Sequence, residues 1–267
     1  GCSDSYDGPL KEELSQLDDA LGRMEEYVKA KEDKIAAIEK TLSPDGISPE
    51  QEFNIYSQLY DECVAFQFDK AMGILDRQEA IAIELQDQSL YNTVAVDKAM
   101  LFTTAGMFLE AEHVFDQLDT LTFNYQQKID WYNAGQNFLH DYQEYVRTSG
   151  IIVPGVDKIR FYQDKILENT PLNSPLNQHI RIMRLIEDGK FEEAYDENMR
   201  ILETLNKDSR DFAVQAYWQG FICENLEREE ETLQWWIKSA MCDIKGAIKD
   251  NAALCSVAIK LTDPSQT

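Results

Sequence analysis

The sequence is short of several things, and each shortage narrows what it can be. Only 12 glycines and 7 prolines punctuate 267 residues, and no stretch alternates apolar and polar residues beyond a few positions. That disfavours turn-rich β folds and makes helix the expected class throughout. Basic residues are scarce: 25 Lys and Arg stand against 49 Asp and Glu, for a formal net charge of -24. Nucleic-acid affinity rests on Lys and Arg releasing counterions from phosphates, so no nucleic-acid partner is expected for this segment. The acidic excess reads as a solvated helical surface. No run approaches the roughly 18 consecutive apolar residues of a membrane span.

Motifs of chemistry are missing as well. No GxSxG, HExxH, GxGxxG or P-loop spacing occurs, and His113, His140 and His179 stand far apart. Five cysteines form no CxxC or Cys/His cluster, so neither a metal site nor a cofactor is expected, and no catalytic residue is assigned. Cys63, Cys223, Cys242 and Cys255 fall in helical apolar patterns, where a thiol packs as a small hydrophobe. Cys2 stands apart. The start Gly1-Cys2-Ser3-Asp4-Ser5 resembles that of a mature bacterial lipoprotein, which makes Cys2 a candidate lipidation site. The alternative is a processed or engineered terminus that happens to carry a cysteine. Acid-rich Glu192-Glu193 and Glu229-Glu230-Glu231 sit at helix starts, where the dipole accounts for them.

What is present is helix, and 43% apolar residues supply a continuous core. The clearest local signal is Gly106-Met107-Phe108-Leu109-Glu110-Ala111-Glu112-His113-Val114-Phe115. Glycine ends one helix, an aromatic residue two positions on fills the turn, and Ala111 lets the next helix come close. Phe68 and Ala71 repeat the aromatic-to-small offset, as do Phe191 and Ala194 after Gly189.

In chain order, a tail (1–9) precedes a long N-terminal helix (10–46), placed as a cap along the first repeat. Leu14, Leu17, Leu21, Met24, Val28, Ile35 and Ile38 form its apolar stripe. Residues 47–267 then form, with that helix, one continuous helical domain. Ser48, Pro49 and Gln51 read as an N-cap, an N1 proline and a capping-box partner. Helix pairs follow at about 48–85, 89–118, 125–169, 174–205 and 209–247; the third is rich in aromatics and interrupted by a loop around Gly150 and Pro154. A last helix over 249–261 has no partner. Its apolar face, with Ala253, Leu254 and Val257, is expected to be bare unless it docks back on the fifth pair.

From Ala71 to Ala111 is 40 positions, from Ala111 to Ala194 83, and from Ala194 to Thr232 38. Paired helices with a period near 40, carrying Gly106/Phe108/Ala111/Phe115 and Gly189/Phe191/Ala194, resemble the tetratricopeptide repeat in slightly expanded form. Departures are the missing terminal proline and Thr232 in place of alanine. The resemblance implies an all-α, right-handed α-solenoid of about five helix pairs, with a long N-terminal helix and an unpaired C-terminal one.

A second resemblance spans nearly the whole chain. Trp235-Trp236-Ile237-Lys238-Ser239-Ala240-Met241-Cys242-Asp243 and the residues to Leu254, with Leu17-Asp18-Asp19-Ala20, Tyr27 and Phe66-Gln67-Phe68-Asp69-Lys70-Ala71, resemble a group of Bacteroidota proteins regarded as transcriptional regulators. These carry such repeats outside the cytoplasm, ahead of a membrane helix. The resemblance implies a non-catalytic periplasmic sensor or scaffold module, membrane-anchored in the full-length protein. Its partner would be a protein or peptide, including a later part of the same chain. The alternative, raised by Cys2, is a free-standing envelope lipoprotein adaptor.

Stacked helix pairs present a concave surface built from their first helices. Projecting the repeat onto those helices places on it Phe53, Tyr56 and Tyr60; Thr93, Val96 and Met100; Ile129, Tyr132 and Gln136; Leu176, His179 and Met183; and Val214, Tyr217 and Phe221. Tyr56, Tyr60, Tyr132, His179, Met183, Tyr217 and Phe221 are the candidate binding residues, since rigid amphipathic rings suit an extended peptide or a helix. A register error of one position would instead make such residues interhelical core.

Overall fold

The computed structural model describes residues 8–42 and 45–262; Cys2 lies outside them. Thirteen α-helices and no strand occur among the described residues, and within each unit most helices adjacent in the chain pack on one another, the arrangement of an α-solenoid. The helices fall into two compact units, one formed by residues 35–177 and the other by 1–34 with 178–267.

In the contiguous unit, three pairs succeed one another: α3 (Pro49–Cys63) with α4 (Phe68–Glu84), α5 (Gln88–Thr104) with α6 (Phe108–Gln117), and α7 (Tyr125–Tyr145) with α8 (Lys158–Asn169). The capping box at Ser48 is present. Its backbone N–H donates to Gln51 Oε1 at 2.9 Å, and the Gln51 N–H donates to Ser48 Oγ at 3.2 Å. An equivalent box at Asn124 and Gln127 starts α7. In the other unit α9 (Pro175–Glu187), which begins at the boundary, leads into α10 (Phe191–Thr204), α11 (Arg210–Asn225), α12 (Glu229–Lys245) and α13 (Ala252–Thr262).

The small residues of the repeat sit where two helices meet. Ala71, Ala111, Ala194 and Thr232 are each 0% exposed, so the register inferred from their spacing holds, the alanine-to-threonine departure included. Beyond them, buried polar side chains tie the two helices of a pair together. Gln78 Nε2 donates to the Phe53 carbonyl at 3.1 Å, and Ser239 Oγ donates to the Ala213 carbonyl at 2.6 Å. Each lies seven positions after the small residue of its helix and reaches the first helix, satisfying groups that would otherwise be costly to bury.

The turns share one geometry. After α4, α5, α9, α11 and α12, an N–H reaches back five residues to a carbonyl at 2.8 to 3.0 Å, as in Met107 to Phe102 and Arg228 to Cys223. The preceding residue is left-handed in every case. Gly106 (φ 74) and Gly189 (φ 71) meet this need without strain, but Gln86 (φ 53), Glu227 (φ 59) and Ala247 (φ 53) do so with side chains. A left-handed L-residue costs about 1–2 kcal/mol, of which the greater freedom of glycine in the unfolded chain gives back about 0.5–1. Glu227→Gly should therefore raise stability by about 0.5–1 kcal/mol in a denaturant melt; a loss would mean that Glu227 makes a contact worth more than the strain.

The N-terminal region departs from expectation. One helix was expected over 10–46; the chain instead forms α1 (Lys11–Gly22) and α2 (Met24–Glu39), broken at Arg23 (φ -104, ψ 11), followed by a 3-10 turn at Lys40–Leu42. Gly22 is the weakest helix former at that point, and the buried stripe of α1 ends at Ala20. In α2 only Ile35 is buried, while Met24 is 46% exposed.

Within its own unit α1 packs on the last helices. Leu10, Leu14, Leu17 and Ala20 join Leu233, Trp236, Ile237, Ala240 and Ile244 of α12 and Ala253 and Val257 of α13 in one apolar cluster. The C-terminal helix is thus unpaired in sequence but not bare. The face expected to be exposed packs on α12, and α1 completes its burial.

At the α11–α12 crossing, Gly220 lies directly against Trp236. A Cβ at 220 would collide with the indole, whose Nε1 donates to the Tyr217 carbonyl at 3.1 Å. Gly220→Ala should cost about 1–3 kcal/mol by overpacking. Combining it with Trp236→Leu should cost less than the sum of the two single changes, and strict additivity would show that the two residues do not meet.

Candidate binding surfaces

The first helices of the contiguous unit are α3, α5 and α7. Of the residues projected onto their groove face, Phe53, Val96, Ile129 and Gln136 are buried and belong to the packing between helices. The stripe therefore includes core positions, because a face wide enough to hold three residues per helix overlaps the contact with the neighbouring helix. Tyr56, Tyr60, Met100 and Tyr132 are half-buried, and Thr93 is exposed. Tyr132 packs its ring on Trp131 (5.3 Å) and Tyr162 (6.0 Å).

An acidic group missed from sequence adjoins this face. Asp97 of α5 interacts with Asp61 of α3 and with Asp130 of α7, and Tyr60 interacts with Asp97 and Asp61. Burial first, and then the like charges of Asp130 and Asp61, push the Asp97 carboxyl up to about 7. Burial also raises Tyr60, Asp61 and Asp130. Three acids 36 and 33 positions apart, one on each of these three helices, are a repeat-period signal that was readable.

Leu176, His179 and Met183 lie on α9, whose residues from 178 on belong to the other unit, as do Val214, Tyr217 and Phe221 of α11; all are half-buried. His179 Nδ1 is 2.8 Å from Gln215 Nε2, and burial lowers its proton affinity, so this ring is held neutral as an acceptor of the amide N–H. Tyr217 and Trp218 meet edge to face at 5.4 Å, as do Trp218 and Phe221 at 5.6 Å. That pairing leaves Tyr217 shared between the surface and the Trp236 cluster.

The segment around Asp243 that carries the second resemblance is built mostly of packing residues. Trp236, Ile237, Ala240 and Ile244 are buried. Asp243 Oδ1 accepts from Arg210 at 2.6 Å while Arg210 also holds Asp250 at 3.0 Å, locking the start of α11 to the end of α12. Nucleophile chemistry finds little support in the thiols: burial, reinforced by Glu231, pushes Cys223 up to about 12, and burial also raises Cys242. Among the described residues no group of His, Cys, Asp or Glu is arranged to hold a metal ion, and no helix is long and apolar enough to cross a membrane.

Stacked antiparallel helix pairs with small residues at each crossing and left-handed turns between them define a tetratricopeptide-type scaffold, a fold that typically mediates protein interaction and is typically non-catalytic. Comparison with family models makes the assignment specific. The model described as SusR N-terminal TPR domain matches residues 21–266, and the chain belongs to that family. A comparison with curated proteins gives no match.

Proposed function

We propose that this chain is a non-catalytic, extracytoplasmic sensor or scaffold module of a membrane-anchored transcriptional regulator, and that it holds a protein or peptide segment against the first helices of its pairs. The family match over residues 21–266 supports the reading, since the matched family is described as the SusR N-terminal TPR domain rather than as a solenoid in general. Half-buried Tyr56, Tyr60 and Tyr132 in one unit, and His179, Met183, Tyr217 and Phe221 in the other, provide the contact surfaces. Rings of this kind give area at small entropy cost. A net charge of -24 argues against a nucleic-acid ligand for this segment.

The test uses the native protein in its own cells, with a photoreactive phenylalanine analogue at Tyr132 or Tyr217 and, as control, at the 73% exposed Leu172. Adducts to a protein segment, intramolecular or not, should form at the first two positions and not at the third. Equal yields at all three would overturn the binding face. Protease added outside the cytoplasmic membrane should cleave this segment; full protection would overturn the extracytoplasmic placement. The mass of the native peptide containing Cys2 then separates anchoring through that residue from anchoring elsewhere.

A further inference from the structure

The irregular third pair builds a cleft of about 540 Å³, a size that accommodates a small molecule. Its floor is a stripe of α7: Trp131, Gly135, Phe138 and Tyr142, spaced so that all point the same way. Gly135 keeps the floor open; a Cβ there would come within 3.2 Å of the Tyr162 ring, which lines the cleft from α8. The rings support one another, Phe138 with Tyr142 at 5.7 Å and Trp131 with Tyr162 at 5.6 Å. The loop that interrupts the repeat supplies part of the wall through Val153, Pro154 and Gly155. It is pinned where the Val153 N–H donates to Gln143 Oε1 at 3.0 Å.

Polar groups complete the lining, and they are segregated by helix. From α6 come Glu112 and Asp116, one turn apart; from the first turn of α8 comes Lys158. None of the three makes an ion pair among the described residues. A simple cation would suit the ring faces and the two carboxylates but meet Lys158 unfavourably. A simple anion would suit Lys158 but meet Glu112 and Asp116 unfavourably. One class of ligand satisfies both ends.

We propose that this cleft binds a small zwitterion with an apolar body, of the free amino acid or betaine type. Its ammonium group faces Glu112 and Asp116, its carboxylate faces Lys158, and its body lies on the rings of α7 and Tyr162. This ligand is separate from any protein held on the first-helix faces, and its site stands whether or not that docking occurs.

Calorimetric titration of the 267-residue chain with L-phenylalanine, L-leucine and glycine betaine tests it. At least one should bind with Kd below about 1 mM. For an amino acid that binds, the methyl ester, which lacks the carboxylate charge, and the N-acetyl derivative, which lacks the ammonium, should each bind at least tenfold more weakly. For glycine betaine, trimethylamine and acetate play the same two parts. Lys158→Ala should weaken the zwitterion tenfold and leave the carboxylate-free probe unchanged. The pair Glu112→Gln and Asp116→Asn should do the converse, weakening the zwitterion and sparing the probe without a cation. Failure of all three zwitterions to bind, or equal binding of charged and charge-deleted probes, would overturn the proposal.

Discussion

Leu17→Ala should lower the stability of this chain by about 2–5 kcal/mol, the range for emptying a fully packed leucine site. Leu17 is 0% exposed and belongs to the cluster that α1 shares with α12 and α13. The cavity left behind would be lined by side chains of three helices, which limits how far any one can relax to fill it. The loss should be local as well as large. Amide exchange should accelerate along α12 and α13, where Trp236, Ile237 and Val257 lose their cover, while α3 to α6 keep their protection. Trp236 offers a second readout, because its fluorescence should shift as α1 loosens. A variant as stable as the parent, with exchange unchanged in α12, would show that α1 does not pack there in solution.

Asp97→Asn should do the reverse, stabilising the protein, and only above about neutral pH. The Asp97 carboxyl is raised from 3.8 to about 7, so the folded chain holds its proton more tightly than the unfolded chain does. Below pH 4 the carboxyl is protonated in both states and costs nothing. Between about pH 4 and 7 the unfolded state ionises first, and the contribution to stability is lost progressively as pH rises. Above 7 the folded state carries a half-buried charge near Asp130 and Asp61, with Tyr60 alongside. Each tenfold change in proton affinity is worth about 1.4 kcal/mol, which sets a ceiling of about 4 kcal/mol on the penalty that asparagine removes. We expect a gain of about 2–4 kcal/mol at pH 8, shrinking to within about 0.5 kcal/mol at pH 4. Parallel stability curves for the two proteins from pH 4 to 8 would sink the assignment.

Much of the architecture was legible because the repeat writes itself in residue size. Ala111 and its counterparts at 71 and 194 mark where backbones approach, and no large residue substitutes there without displacing a helix. Thr232 was readable only through spacing, since its hydroxyl is satisfied locally by the Arg228 carbonyl at 2.9 Å and threonine then packs like a small apolar residue. The turns were half legible. Glycine announced those at Gly106 and Gly189, whereas Gln86, Glu227 and Ala247 adopt the same left-handed geometry under the constraint of the helices they join.

Where α1 docks was not legible, because periodicity shows that a helix has an apolar face and says nothing about which distant face matches it. The same limit governs the surfaces. Tyr56 and Phe53 fall on one stripe, and only packing separates the half-buried ring from the buried one. The aromatic cleft of the third pair was foreshadowed by the density of rings in α7 and the loop at Gly150 and Pro154, but their convergence needed three-dimensional structure.

The meeting of α1 with α12 and α13 also dictates an order of events during folding. Leu17 and Trp236 are more than 200 positions apart, so α1 waits for more than 200 further residues to be made before its apolar face is covered. Residues 35–177 form a contiguous unit whose contacts are mostly between successive helices, and such local topology folds fast. The unit that contains both α1 and α12 bears the long loop-closure cost instead and is completed last. During synthesis Leu10, Leu14 and Leu17 form a sticky, unpaired stripe, and a nascent chain stalled before residue 233 should be the form that chaperones capture.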